Sequence, residues 1–331
     1  MSDDRKKDHI KLALNSQTNI NNKDFYYEPL LGAHPADEES VSVNFLGKKF
    51  TYPLWISSMT GGTEKAYKIN KNLATIAGEF GFGMGLGSCR SLLESDQRIK
   101  DFDFKSLVGD QAFYINLGIA QVEQLIKSKS LTKITDLISK LQADGLIIHI
   151  NPLQEWLQPE GDRIEIAPIE SIKIIVNELD TNIIIKEVGQ GFGPMSLESL
   201  MKLPIAAIDF SGFGGTNFSL IELNRHNAQE FDKDSSHNRL VSIGHTCSEM
   251  IEWTNSLLSS SNHYKCKDFI ISGGIKNVLD GHAHQQKLNA NSIIGMAASF
   301  LKHAEDLGAL RDFAHMETQN YKLAKKLLRE R

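Results

Sequence analysis

The chain has 331 residues, 41% of them apolar, which suits the core of a single α/β barrel. Its 36 basic and 41 acidic residues leave a formal net charge of −5 with no basic block, which argues against a nucleic-acid surface. Three cysteines (Cys89, Cys247, Cys266) are too sparse for a disulfide framework and point to a reducing, cytoplasmic compartment; the polar start Met1–Lys11 reads as no secretory signal, and no run of about 18 apolar residues predicts a membrane span.

Residues 1–50 read as an N-terminal extension, charged at first and turn-rich around Leu31-Gly32-Ala33-His34-Pro35. Residues 51–331 then follow a β/α rhythm, ending in an amphipathic helix from Leu307 to Arg331. Leu54–Ser57 is the first predicted strand, and a helix to about Phe80 spaces Ile69, Leu73, Ile76 and Ala77 on one face. Gly83–Leu86, Ala112–Ile115, Leu146–Ile150, Ile183–Lys186, Ala206–Asp209, Phe269–Ile271 and Ser292–Ile294 supply seven more, the last being weakest by length. These are continuous apolar runs rather than alternating ones, as expected of strands buried on both faces of a parallel sheet. The prediction is a (β/α)₈ TIM barrel. Residues 218–244 are polar and aperiodic, and read as a long lid over the active face. The late basic run from Lys322 to Arg331 reads as a solvated helix end.

Candidate chemistry clusters at the C-terminal ends of the predicted strands. Ser211-Gly212-Phe213-Gly214-Gly215-Thr216 and Ser272-Gly273-Gly274-Ile275-Lys276 follow strands six and seven. Glycines let backbone N–H groups crowd an anion, and the helix after strand seven would add its positive end. Tight turns without a ligand are the alternative. Met296-Ala297, after strand eight, is small enough to leave room for the same anion. His149 and Asn151 point the same way at the end of strand four, with Gln154 and Glu155 in the next loop. Glu155 is suited to Mg²⁺ only if substrate phosphates supply further ligands; otherwise it is a lone surface acid. Lys186 ends an isoleucine run, where a charge needs either an anionic ligand or an ion pair with Glu187 or Asp209. Arg5, Lys6 and His9 would clamp a diphosphate if the N-terminus folded over the barrel; a disordered tail is equally compatible. Cys89 beside Arg90, and Cys247 at a helix start, are weak thiol candidates.

Together these segments resemble the type 2 isopentenyl-diphosphate delta-isomerases. The matching stretches are Arg5-Lys6-Lys7-Asp8-His9, Met59-Thr60-Gly61-Gly62-Thr63, Gly87-Ser88-Cys89-Arg90, His149-Ile150-Asn151-Pro152-Leu153-Gln154-Glu155 and Lys186-Glu187-Val188-Gly189, with the two glycine segments. They run in order over nearly the whole chain, which departs from the family pattern at Cys89, commonly Gln. The resemblance implies a barrel that binds FMN and isomerises isopentenyl diphosphate to dimethylallyl diphosphate without net redox change, using NADPH to reduce the flavin, and Mg²⁺. It implies flavin contacts from Met59, Thr60, Gly61, Gly62, Ser88, Asn116 and Lys186. Ser211, Thr216, Gly273, Gly274, Lys276, Met296 and Ala297 would surround the ribityl or phosphate end. Arg5, Lys6, Arg90, His149, Asn151 and Gln154 would hold substrate, His149 and Gln154 also serving catalysis, and Glu155 would bind the metal. The extension 1–50 would thus contribute to the substrate site, in a homotetramer or larger assembly. The alternative is another FMN barrel, of the 2-hydroxy-acid oxidase or inosinate-dehydrogenase kind. The first needs a His/Arg pair beside strand seven that the sequence lacks, and the second a reactive loop cysteine.

Overall fold

All eight predicted strands are present in the computed structural model, which describes residues 2–17, 24–58, 64–226, 236–261 and 263–331, apart from the side chains of residues 2–4, 6, 7 and 226. They are β1 (Leu54–Ile56), β2 (Gly83–Gly85), β3 (Phe113–Gly118), β4 (Gly145–Ile150), β5 (Asn182–Glu187), β6 (Ala207–Asp209), β7 (Asp268–Ile271) and β8 (Asn291–Met296). Parallel pairing joins each to the next and β8 back to β1, closing a (β/α)₈ barrel. β8, weakest in the sequence, is six residues long. Gly295 hides its length from a hydropathy reading. A methyl there would come within 2.8 Å of Ile270 and Ser272 side chains.

Side chains alternate across each strand. Trp55, Tyr114, Ile147, Ile184, Ala207, Ile270 and Ile293 point inward and form one apolar cluster. Leu54, Ile56, Ile115, Ile148, Ile185, Ile208 and Ile294 belong to the other, shared with the surrounding helices. The helix Glu64–Phe80 contributes Ile69, Leu73, Ile76 and Ala77 to that outer layer.

Part of the predicted extension plugs the barrel. Val43–Phe45 and Lys48–Phe50 form an antiparallel hairpin whose Phe45 and Phe50 join the inward cluster. Lys48 pairs with Asp144 at 2.7 Å, just before β4, which fixes the plug at the N-terminal end of the strands. Gly83 makes the room. A Cβ there would lie 2.4 Å from the Trp55 ring and 2.6 Å from Phe50.

The C-terminus differs from the sequence reading. The helix stops at Leu327, and Leu328–Glu330 pairs antiparallel with Phe25–Tyr27, so the chain's two ends close one small sheet. Lys322 is buried rather than solvated, donating to the Asp37 carbonyl at 2.6 Å, and Lys326 pairs with Glu39 at 2.7 Å. The helix end is therefore held by groups from the extension, which a helix-dipole argument cannot see. Among the described residues no helix is long and apolar enough to cross a membrane.

Candidate active site

Two residues beyond the inward apolar layer, the same face turns polar or small: Ser57, Asn116, His149, Lys186, Asp209, Ser272 and Gly295. This layer lies at the C-terminal mouth, where barrel enzymes place their chemistry. His149, Lys186 and Asp209 are neighbours in register across β4, β5 and β6.

Lys186 Nζ donates to the Glu187 carbonyl at 2.8 Å and to Ser211 Oγ, rather than to either nearby carboxylate. Glu187 Oε2 instead receives the N–H groups of Gly189, Gln190 and Gly191 at 2.7, 2.5 and 2.9 Å, shaping the turn after β5. Burial pushes the Glu187 carboxyl up, and those three bonds oppose the rise. Asp209 is fully buried, and burial pushes its carboxyl up against the opposing pull of Lys186 and Ser272. His149 Nδ1 lies 2.7 Å from Asn116 Oδ1. Burial, then the Lys186 charge, holds the imidazole down at about 4, so it is neutral at pH 7.

The two glycine segments meet backbone to backbone. A Cβ on Gly215 would lie 2.6 Å from Gly274 N, and one on Gly273 (φ +92°) would lie 2.0 Å from Gly212 N. They wall a cavity of about 330 Å³ together with Ser57, Ser58, Lys186, Thr216, Ala297 and Lys302. Both Ser57 Oγ and Ser58 Oγ are buried with no hydrogen-bond partner among the described residues. The predicted positive helix end after β7 is not free. Asn277 caps the helix Val278–Lys287 by accepting from Leu279 N and Asp280 N, and Glu317 takes Val278 N at 2.5 Å. Those donors are consumed by side chains from the loop and the C-terminal helix. Instead, the short helix Ala298–Leu301 after β8 begins without a side-chain cap, and Ala298 and Ser299 line the cavity.

A second cluster sits beyond β4. Pro152 opens the helix Pro152–Leu157, fixing Gln154 and Glu155 on one turn. Asn151 Nδ2 donates to Gln154 Oε1 at 3.2 Å and to Glu155 Oε1 at 2.9 Å. Glu155 Oε2 accepts Asp162 N at 2.7 Å, and Asp162 pairs with Arg90 at 2.6 Å and receives Gln121 Nε2 at 2.9 Å. Asp162 thus links Arg90 to the cluster of Asn151, Gln154 and Glu155. Among the described residues no set of three or more His, Cys, Asp or Glu could cage a metal, so Glu155 would need ligands from elsewhere.

Other predicted residues are placed less centrally. Ser88 is exposed, and its Oγ receives Arg90 N at 3.4 Å. Lys276 and Ala297 line the cavity, whereas the Met296 side chain packs outward in the core. Arg5 is exposed on the helix Ser2–Ala13. Met59, Thr60, Gly61 and Gly62 lie outside the described residues, as does the Lys6 side chain.

The thiol reading is overturned. Burial pushes Cys89, Cys247 and Cys266 each up to about 12, overriding any effect of Arg90 on Cys89. The aperiodic stretch 218–244 contains two helices, Phe218–His226 and Ser236–Val241; Asp232 and Asp234 lie outside the described residues. Gln190 Nε2 donates to Ile243 O at 2.6 Å and Asn217 Nδ2 to Val241 O at 2.7 Å, tying the end of the second helix and the residues after it to the loops that follow β5 and β6. The sequence reading assigns no role to Ser57 or Ser272, which it names only within a strand and a glycine segment, and does not single out Ser58, Asp162 or Lys302. Extending the period of two past each apolar strand would have found Ser57 and Ser272; Asp162 carries no local signal.

No family model matches the chain. It is 36% identical over 312 residues to the isopentenyl-diphosphate delta-isomerase of Rickettsia africae (strain ESF-5), covering 91% of this chain and 86% of that protein. It is 32% identical over 324 residues to the protein of the same name from Synechocystis sp., covering 95% and 88%. Among solved structures, a double variant of flavocytochrome b2 with sulfite bound superposes with a TM-score of 0.61 at 12% identity, over 92% of this chain and 72% of that one. A mandelate oxidase variant with (S)-mandelic acid gives 0.57 at 12% identity, over 93% and 87%. At such identities these two structures speak for the fold alone.

Proposed function

This chain belongs to the type 2 isopentenyl-diphosphate delta-isomerase family, and from that membership we propose that it converts isopentenyl diphosphate to dimethylallyl diphosphate with bound FMN, NADPH as the flavin's reductant, and Mg²⁺. The observation that carries the reading is the cavity itself. Its lining combines apposed glycines with a buried lysine and two serine hydroxyls that have no partner among the described residues. That polarity suits FMN, with its phosphate among Gly214–Thr216, Gly273, Gly274 and Ala297 and its polar ring edge near Ser57, Ser58 and Lys186. Lys276 and Lys302 add positive charge to the same walls. Reduced flavin, when bound, supplies an electron-rich ring that can exchange protons with the substrate and face positive charge developing on it.

The chain's own residues do the rest. The substrate alkene gains a proton at its terminal carbon, positive charge develops on the tertiary carbon, and loss of a neighbouring proton gives the allylic product. Anchoring the diphosphate orients the alkene before either transfer. Arg90, Asn151 and Gln154 would provide that anchor, with Arg5 and Lys6 brought in by the extension, and Glu155 would hold Mg²⁺, which would offset the diphosphate charge. With His149 Nδ1 2.7 Å from Asn116 Oδ1, the tautomer protonated on Nδ1 would donate to that oxygen and leave Nε2 to accept from substrate. A neutral imidazole suits this role because it adds no second cation beside Lys186. Gln154 positions or relays a proton, its carbonyl already held by Asn151. The working form is a cytoplasmic homotetramer or larger.

Anaerobic incubation with isopentenyl diphosphate, FMN, NADPH and Mg²⁺ tests the proposal. Dimethylallyl diphosphate should form without stoichiometric NADPH use. Steady NADPH or oxygen consumption tracking a different substrate would overturn it.

A further inference from the structure

Among the described residues the Lys186 ammonium has neutral hydrogen-bond partners only, the Glu187 carbonyl and the Ser211 hydroxyl. The adjacent acid is committed elsewhere, because Glu187 Oε2 holds the turn after β5 through three backbone N–H groups. A chain of hydroxyls leads away from the lysine instead. Ser211 Oγ accepts from Lys186 and lies 3.5 Å from Ser272 Oγ, its outlet for a hydrogen. Ser272 Oγ accepts Ser211 N at 2.9 Å and donates to Asp209 Oδ1. All four side chains are buried, and the second Asp209 oxygen has no hydrogen-bond partner among the described residues. Each donor in this series points the same way, from ammonium to carboxylate. Ser211 also sits at φ +43°, a left-handed conformation that side chains other than glycine avoid. Its N–H and hydroxyl are both engaged by the same series, which is what holds it there.

We infer that Asp209 is a positioning residue, acting through Ser272 and Ser211 to hold the Lys186 ammonium at the cavity floor toward a bound anionic or electron-rich ring. The inference rests on the FMN reading and adds to it. Register places Asp209 beside Lys186 on the barrel's inner face, and the hydrogen-bonded link between the two runs through β7's first loop residue and the first glycine segment. The loop after β7 therefore serves two ends of one ligand: its glycines wall the anion pocket, and its serine transmits the charge of Asp209 to the ring end.

A double-mutant cycle on FMN affinity tests this, read by flavin fluorescence and the visible spectrum of the bound flavin. Asp209→Asn should weaken FMN binding about tenfold and perturb the spectrum. Ser272→Ala, a milder change that guards against misfolding, should act in the same direction. In a Lys186→Met background either substitution should change affinity less than about twofold, because the group it acts through is gone. Thermal melts of the apo variants confirm that each is folded. Equal losses in both backgrounds would make Asp209 a structural residue only and overturn the inference, as would wild-type affinity and spectrum in Asp209→Asn. If the wild-type protein binds no FMN, the functional reading fails and takes the inference with it.

Discussion

Gly273→Ala probes whether apposed backbones build the cavity. Gly273 sits at φ +92°, and an added Cβ would fall 2.0 Å from Gly212 N and 2.2 Å from Gly212 O. Both contacts are backbone, so no rotamer change relieves them. An L-residue in this conformation costs about 1–2 kcal/mol, and forcing apart two packed segments costs about 1–3 kcal/mol more. The total, about 2–5 kcal/mol, corresponds to a Tm drop of roughly 4–10 °C at about 2 °C per kcal/mol for a chain of this size. Gly214→Ala is the control. Its φ is +112°, but the nearest atom to its Cβ is Gly274 Cα at 3.9 Å. It should incur the backbone cost alone, about 1–2 kcal/mol, or roughly 2–4 °C. Differential scanning fluorimetry of the apo proteins reads the stability difference, and fluorescence titration reads FMN binding. Gly273→Ala should also lose FMN affinity about tenfold or more, since separating the segments opens the pocket's wall. The reasoning is refuted if both variants melt alike, or if Gly273→Ala keeps wild-type FMN affinity.

Three further outcomes follow from the same structure. His149 and His282 are held down at about 4 by burial, so below the ordinary histidine range the unfolded chain binds protons that the folded chain does not. Stability is therefore full above about pH 6.5 and falls as pH drops toward 4, by up to about 1.4 kcal/mol per unit for each group. Urea midpoints from pH 7 to 4.5 should show that slope, and His282→Phe, packing between Phe25 and Tyr321, should flatten it; an unchanged slope contradicts the assignment. Glu155→Gln should raise the Mg²⁺ concentration for half-maximal isomerisation about tenfold or more; an unaltered Mg²⁺ dependence removes Glu155 from the metal site. With thiols pushed up to about 12, Cys89, Cys247 and Cys266 should resist a disulfide reagent at pH 8 until the protein is denatured. Rapid reaction of even one thiol in the native protein would reopen the covalent reading.

Much of the barrel was legible without coordinates. Eight short apolar runs, most of them separated by helical stretches, leave few foldings other than a parallel barrel, because strands hydrophobic on both faces must be covered on both faces. The same runs placed His149, Lys186 and the two glycine segments at strand ends, where the mouth must be. Reading the runs as uniformly apolar nevertheless hid their alternation. Asp209 stood only as a possible ion-pair partner, and Ser272 only as the start of a glycine segment with no role of its own, although both fall on the inward parity set by Ala207 and Ile270.

What sequence determined here is local: which stretches extend, which coil, and which side chains terminate a strand. Those follow from periodicity and backbone freedom within a few residues. Tertiary structure decided everything that depends on two distant segments meeting. It used Phe45 and Phe50 to plug the barrel and gave Lys322 to Asp37. It also capped the β7 helix with Glu317, tied Arg90 to Asp162, and routed Asp209 to Lys186 through two serines. Such pairings turn on distances set by barrel closure and loop path, and a linear pattern carries no record of either.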